Sequence, residues 1–257
     1  MNNYRSIYCL VALVTGALLM GAQVARSDVY FSTGFDAPDY APGNLVGQEG
    51  WQTDMSTGAA QLQVVDKGGN QMLGIIRSSS SNSPRAYLQF ASEPLADDIT
   101  VEMKLAFTGN TDGSRVVYVQ DNATGYSGVC VGFNNGNLAI RDGNGGWVEI
   151  DADSSQAGMT GASEDTFYRF LATVRASQLQ WDVQVFDESD NLVGSVDNIV
   201  MKDNVEEFDH IRVYSSAAKD SGAGLYVDDI SIAVVPEPAS LALCAMGMLS
   251  LAMRRRS

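Results

Sequence analysis

The sequence predicts an all-β protein: an antiparallel β-sandwich between two targeting segments. Through the middle of the chain, apolar and polar residues alternate in short runs, and clusters of Gly, Asn, Asp and Ser separate these runs. Alternation with a period of two places one face of a strand against a core and the other towards solvent. Regular turn signals between such strands favour a sandwich or jelly roll. The same region has no convincing amphipathic helix and no internal repeat.

Fourteen segments have the alternating pattern, and two of the turns between them are explicit. Asn134-Asn135-Gly136-Asn137 predicts one hairpin, and the Gly-rich stretch 142–146 predicts the next. The predicted strands are 29–35, 61–66, 72–77, 85–90, 98–107, 115–121, 127–134, 137–141, 147–151, 166–175, 178–187, 192–200, 207–214 and 225–234.

Alternation also assigns faces within these strands. Trp181 belongs to the apolar set of its strand, so we expect it in the core. In 147–151 the outer face carries Trp147, Glu149 and Asp151. Cys130 lies between two glycines on the outer face of 127–134, where a groove could form.

The composition excludes several classes of function. The chain has 257 residues, with 16 Lys and Arg against 31 Asp and Glu and a formal charge of −15. No basic surface is available for nucleic acid, and this acidity suits an extracellular protein. His210 is the only histidine, which argues against multi-His zinc sites. The sequence has no G-x-S-x-G elbow, P-loop or dinucleotide fingerprint.

Residues 1–27 have the pattern of a secretory signal peptide, which we expect to form a signal helix. A polar start containing Arg5 is followed by an apolar run of 12 residues and then by small residues. Ala25 and Ser27 suit cleavage by signal peptidase before Asp28. Cys9 lies in this run and Cys244 in the apolar stretch near the other end, so removing both ends would leave Cys130 alone, without an intrachain disulfide.

The C-terminal segment, residues 235–257, has three parts in a fixed order. Val235-Pro236-Glu237-Pro238 comes first, the uncharged residues 239–253 follow, and Arg254, Arg255 and Arg256 close the segment. This order resembles the PEP-CTERM sorting signal of Gram-negative bacteria. The resemblance implies a short transmembrane helix as a transient anchor, processing by an exosortase, and delivery to the cell surface or the exopolysaccharide matrix.

Residues 28–234 have a second resemblance, carried by their two ends. The segments 31–36, 47–51 and 225–232 are similar to the ends of concanavalin A-like and carbohydrate-binding jelly rolls. Such domains often hold a structural calcium ion where the terminal strands meet. If these strands pair, Asp36 approaches Asp228 or Asp229, and carboxylates are ligands that Ca²⁺ prefers. The alternative is a set of solvated acids at the edge of a sheet.

A glycan site is predicted on the outer face of 147–151. Trp147 offers a flat ring for a sugar, and nearby polar groups offer hydrogen bonds; the set is Trp147, Glu149, Asp151, Asn144 and Tyr126. Trp51, in a loop-like stretch, is a second candidate. The alternative interpretation is that Trp147 covers the edge of the core at a hairpin.

The acids of the same strand also fit an alternative function, that of an enzyme. Glu149, Asp151 and Asp153 alternate along the strand and are similar to the E-x-D-x-E signature of family 16 glycoside hydrolases, although an Asp stands at the acid/base position. We therefore predict a non-catalytic glycan-binding or adhesive module of the cell surface or extracellular matrix, with exopolysaccharide as a partner. The alternatives are a structural matrix component without a defined ligand and a family 16-like hydrolase.

Overall fold

The computed structural model describes residues 28–53, 62–76, 83–93, 95–109, 111–121, 126–150, 162–203, 205–216 and 223–235. Both predicted targeting helices lie outside these ranges. Within them, the regular structure is β-strand apart from one turn of 3₁₀ helix at Ala176–Gln178. The all-β prediction is therefore confirmed for the described residues.

The described ranges contain fifteen strands. They are β1 (Asp28–Thr33), β2 (Gly43–Asn44), β3 (Leu62–Lys67), β4 (Asn70–Ile76), β5 (Arg85–Gln89), β6 (Ile99–Thr108), β7 (Ser114–Asp121), β8 (Tyr126–Asn134), β9 (Asn137–Arg141), β10 (Trp147–Glu149), β11 (Tyr168–Arg175), β12 (Gln180–Phe186), β13 (Leu192–Val200), β14 (His210–Ser215) and β15 (Gly224–Val234).

The strands form two antiparallel sheets. Sheet A has nine strands in the order β13-β12-β11-β6-β15-β4-β3-β2, with β1 also paired to β15. Sheet B has six strands in the order β10-β9-β8-β7-β14-β5. Neighbours such as β14 and β7 are distant in sequence, so the sheets are built largely from long-range pairings.

Residues 29–233 form one compact unit with the core between the two sheets. Trp181 is completely buried, as its alternation predicts. Phe133 of sheet B packs against Phe107 and Phe170 of sheet A, with ring centroids 5.1 and 6.1 Å apart. Of the terminal residues 1–28 and 234–257, the structure describes residues 28, 234 and 235 alone.

Each of the fourteen predicted segments corresponds to a strand, with shifted ends in most cases. The sequence missed β2, because two residues are too few to show alternation. The predicted hairpin at Asn134–Asn137 is present: Asn135 and Gly136 have φ values of 50° and 81°, as expected for a two-residue turn that matches the twist of the strands. The hairpin over 142–146 is closed by the backbone N–H of Asp142, which donates to the carbonyl of Gly146.

Candidate functional site

A row of aromatic and arginine side chains crosses the outer face of sheet B. Tyr118 on β7 lies opposite Cys130 on β8 and Arg212 on β14. Arg212 also lies opposite a tyrosine on β5, and at the other end of the sheet a tryptophan on β10 lies opposite an arginine on β9. We call this set the sheet-B row: Trp147, Arg141, Cys130, Tyr118, Arg212 and Tyr87.

The two guanidinium groups of the row lie beside aromatic rings. Cζ of Arg141 is 5.4 Å from the centroid of the Trp147 ring. Cζ of Arg212 is 5.7 Å from the Tyr118 ring and 5.8 Å from the ring of Tyr214, its neighbour but one on β14. These distances are within the range of cation–π attraction, which orients each guanidinium against its ring.

Buried side chains on this face support the partly exposed rings. Val116, Tyr118 and Cys130 form a buried cluster on this face, and the partly buried Trp147 and Tyr214 pack against it. The outer face of the sheet therefore has an apolar layer of its own, capped by rings and guanidinium groups.

The two ionisable groups in the centre of the row are neutral. Burial is the main cause that raises the pKa of the Cys130 thiol to about 12. Burial likewise raises the pKa of the Tyr118 hydroxyl above its usual value. At neutral pH the middle of the row therefore adds no negative charge beside the arginines.

The burial of Cys130 predicts that its thiol does not react in the folded protein. In a full chain whose other cysteines, Cys9 and Cys244, are replaced by serine, we expect no labelling by a maleimide until the protein unfolds, since the thiol is 1% exposed and protonated. A thiol introduced at the exposed Ser195 is the matched control and should react at once. Equal labelling rates for both thiols in the native protein would contradict the packing described above.

The structure places three of the six predicted glycan residues near one another. Trp147 lies on the outer face of β10, as predicted, and is partly exposed. Glu149 is exposed on the same strand, and its Oε1 accepts a hydrogen bond of 2.7 Å from Nδ2 of Asn137. Asn144 is exposed in the hairpin that precedes Trp147. Tyr126 begins β8, but its side chain, Asp151 and Asp153 lie outside what the structure describes.

The prediction that Trp51 binds a sugar is wrong. The Trp51 side chain is 0% exposed, and its Nε1 donates a hydrogen bond of 3.2 Å to the hydroxyl of Tyr40. Its ring lies 5.9 Å from that of Phe35. The stretch is a loop, as predicted, but the loop folds its tryptophan into the core, where a ring of this size buries the most apolar surface.

The terminal strands pair, which was the condition for the predicted acidic site. Asp36 Oδ2 and Asp229 Oδ1 each lie 3.3 Å from the point where a Cβ would stand on Gly34. Asp228 is buried; its Oδ2 accepts from Nδ2 of Asn70 at 2.8 Å, and its Oδ1 accepts from the backbone N–H of Asp229 at 2.9 Å. Burial raises the pKa of Asp228 above its usual value.

Two of these acids, Asp228 and Asp229, have partners within the protein. The Asp229 carboxylate pairs with Nζ of Lys104 at 2.7 Å. Among the described residues, no group of three or more His, Cys, Asp or Glu side chains could hold a metal ion. Calcium stays a prediction that rests on the sequence.

A depression of about 450 Å³ lies on the outer face of sheet A. The cations that line it are paired with acids: besides the Lys104 pair, Arg169 contacts Asp190 at 3.1 Å and Glu102 at 3.4 Å. Its lining residues are Asn70, Lys104, Phe167, Arg169, Asp187, Glu188, Asp190, Asp228 and Asp229. Its lining has five acids against two cations, so this depression offers an acidic surface to a ligand.

His210 is buried beside an acid and lies outside the sheet-B row. Its Nδ1 lies 2.7 Å from Oδ1 of Asp209, and both residues are buried. On the sheet, His210 lies opposite Gln120 of β7 and Gln89 of β5, two residues before Arg212 along β14.

Tyr118, Arg212 and Tyr87 were missing from the sequence-based site. Each alternates with core residues on its own strand and so could be assigned to an outer face, but nothing in the sequence brings strands β7, β14 and β5 beside one another. The aromatic–arginine pattern is visible only across strands.

The comparisons with known proteins bear on both parts of the chain. The family described as the PEP-CTERM protein-sorting motif matches residues 234–256, which confirms the predicted sorting signal and implies export and sorting to the surface or the extracellular space. A search of curated proteins gave no match. In the described ranges we find no helix of sufficient length and hydrophobicity to cross a membrane.

Two solved structures share the fold. A sialidase is 10% identical with a TM-score of 0.52, over 72% of this chain and 17% of its own. The binding domain of Paraclostridial Mosquitocidal Protein 1 is 17% identical with a TM-score of 0.50, over 84% of this chain and 51% of its own. The chain thus spans well under two thirds of either protein. Lectin II from Ulex europaeus is 13% identical with a TM-score of 0.49, over 80% of this chain and 98% of its own. At such identities, the first two show a shared fold alone.

Proposed function

We propose that this protein is an exported component of the bacterial cell surface or extracellular matrix whose β-sandwich binds glycans without catalysing a reaction. The sorting motif supports the location. The observation that carries the binding function is the sheet-B row, in which Trp147 and Tyr87 present partly exposed rings on one face. Flat aromatic rings flanked by polar groups are well suited to sugars, which have both apolar faces and hydroxyl groups.

The length of the row supports an extended ligand. Trp147 on β10 and Tyr87 on β5 stand at opposite ends of a six-stranded sheet. At about 4.8 Å between neighbouring strands, the row is about 24 Å long. A glycan chain that crosses the strands can contact several of its side chains, whereas a single sugar cannot.

The proposed route to the surface follows from the terminal segments. Signal peptidase would remove residues 1–27, and the apolar stretch 239–253 would hold the protein transiently in the membrane of a Gram-negative bacterium. An exosortase would then process the chain at the motif matched in 234–256. Exopolysaccharide is the partner that this location offers to the binding face.

Trp147→Ala is expected to weaken glycan binding at least tenfold, because the variant loses the exposed indole ring, and a tenfold loss corresponds to only about 1.4 kcal/mol. The measurement is a glycan array followed by titration of the best ligand with the full chain. The matched control is Phe186→Ala on sheet A. Cζ of Arg169 lies 4.1 Å from the centroid of that ring, and Cζ of Arg141 lies 5.4 Å from the centroid of the Trp147 ring, so both variants remove a ring beside an arginine. If the native chain binds no glycan, the proposal is wrong and a structural matrix component is favoured. If both variants bind glycan equally well, the binding site does not lie on the outer face of sheet B.

The variant Glu149→Gln distinguishes a hydrolase from a protein that only binds glycans. A retaining glycosidase needs two carboxyl groups about 5–5.5 Å apart. The sequence offers three acids for that role, of which Glu149 alone lies within the described residues. Its carboxylate accepts a hydrogen bond from the side chain of Asn137. Glycan binding that persists in this variant, with no product released by either protein, agrees with the binding function; product released by the native chain alone would establish the enzyme.

A further inference from the structure

The outer face of sheet B carries two arginines that form no salt bridge with a described carboxylate, in a chain with a formal charge of −15. We propose that its ligand is an anionic polysaccharide, whose carboxylate or sulfate groups are bound by Arg141 and Arg212 of the sheet-B row. This inference rests on the proposed function and specifies the class of glycan. It depends on how the cations of the two sheets differ in their surroundings.

Cations on the outer face of sheet A are neutralised by neighbouring acids. Nζ of Lys67 lies 2.7 Å from Oδ1 of Asp165. The other pairs on that sheet are Lys104 with Asp229, Arg169 with Asp190 and Glu102, and Arg175 with Asp182. Such pairs leave little attraction for an external anion, because each cation already faces a carboxylate.

The two arginines of the sheet-B row have different surroundings. Within the part of the chain that the structure describes, neither Arg141 nor Arg212 pairs with a carboxylate. Arg141 donates from Nε and Nη2 to the carbonyl oxygen of Gly145, at 3.3 and 3.1 Å. Arg212 lies beside the rings of Tyr118 and Tyr214. A ring takes none of the in-plane N–H donors with which a guanidinium binds carboxylate or sulfate.

The nearby acids are occupied by donors of their own. Glu149 accepts from Asn137 at 2.7 Å. Asp142, at the start of the hairpin, accepts from the backbone N–H groups of Asn144 and Gly146 at 3.1 and 2.8 Å. These hydrogen bonds hold both carboxylates within the hairpin, so they do not bridge to the arginines.

Asp203 is a third acid near the row and interacts electrostatically with Arg141. Its Oδ2 accepts from Nζ of Lys202 at 2.7 Å and from the backbone N–H of Ser127 at 3.0 Å. The Asp203 carboxylate is thus paired with Lys202 and forms no salt bridge with Arg141.

The spacing of the arginines suits a polymer. Arg141 on β9 and Arg212 on β14 are separated by β8 and β7. Three strand spacings of about 4.8 Å place them about 14 Å apart. The side chains between them are Cys130 and Tyr118, whose raised pKa values keep both neutral at neutral pH. One anionic chain lying across the strands can therefore meet both guanidinium groups without passing a negative charge in the row.

The test uses three polysaccharides as probes: polygalacturonate with carboxylates, dextran sulfate with sulfates, and uncharged dextran. Affinity for the full chain is measured by calorimetry at low and at physiological ionic strength. We expect binding to at least one anionic probe, weakened by salt, and none to dextran. The double variant Arg141→Gln/Arg212→Gln should bind that probe at least tenfold more weakly, while the control Lys104→Gln/Arg169→Gln on sheet A keeps its affinity despite the same change in charge.

The outcomes separate this inference from the proposed function. Binding of uncharged glycans that Trp147→Ala abolishes and the arginine variant leaves intact would overturn the anionic ligand and keep glycan binding. Equal losses in both double variants would also overturn it, because the effect would then be one of net charge. Absence of binding to every glycan, charged or neutral, would overturn both. If the double variant does not fold, as judged by circular dichroism, the single variants Arg141→Gln and Arg212→Gln provide the same comparison.

Discussion

Replacing Trp51 with alanine is expected to lower the free energy of unfolding by about 3–5 kcal/mol, the range measured for large-to-small changes of buried aromatic side chains. The ring is completely buried and contacts the ring of Phe35. Its removal leaves a cavity and deprives the Tyr40 hydroxyl of a donor. Urea unfolding followed by circular dichroism measures the loss as a shift in midpoint.

The control for this change is Trp51→Phe. Phenylalanine keeps an aromatic ring in the core but cannot donate to Tyr40, so the expected loss is smaller, of the order of 1–3 kcal/mol. Trp51→Ala should leave the affinity of the folded protein for glycan unchanged, because Trp51 is not on the outer face of sheet B. A stable Trp51→Ala protein that has lost its glycan would show instead that Trp51 contacts the ligand.

Gly132→Ala is expected to cost about 3 kcal/mol or more, from backbone strain and a steric clash together. Gly132 lies within β8 with a φ of 147°, a conformation that an L-residue rarely adopts. A Cβ at this position would stand 2.2 Å from the carbonyl oxygen of Arg115 and 2.9 Å from Cα of Val116. Both atoms belong to the backbone of β7, so relief requires the two strands to move apart.

Gly43→Ala isolates the backbone part of that cost. Gly43 has a φ of 121°, and a Cβ there would meet no atom within 4 Å. We expect Gly43→Ala to lose about 1 kcal/mol, with Gly132→Ala clearly less stable by thermal and urea unfolding. Similar losses for both variants would show that β7 and β8 separate at little cost at this point.

Several elements could be predicted from local sequence. The strands β9 and β13 have the predicted bounds, because a turn signal stands at each end. Trp181 was placed in the core by alternation alone. By contrast, alternation could not place Trp51, because a loop has no fixed period and its side chains follow the path of the chain over the sandwich.

Only part of the candidate site could be predicted from the sequence. Trp147, Glu149 and Asn144 are close in sequence, so one hairpin predicts their proximity. Tyr118, Arg212 and Tyr87 come from three strands that are far apart along the chain, and they meet through the register of β7, β14 and β5. Whether an arginine pairs with an acid or lies against a ring likewise depends on these cross-strand neighbours.

The sequence by itself determined that this protein is all-β, acidic and sorted through a C-terminal motif, because alternation, composition and a short linear motif are local properties of the chain. The tertiary structure alone decided that Trp51 is buried and that rings and guanidinium groups form one row on sheet B. The physical reason is that these features depend on which strands pair and in which register. That pairing is selected by the burial of the whole core, a property that no single segment carries.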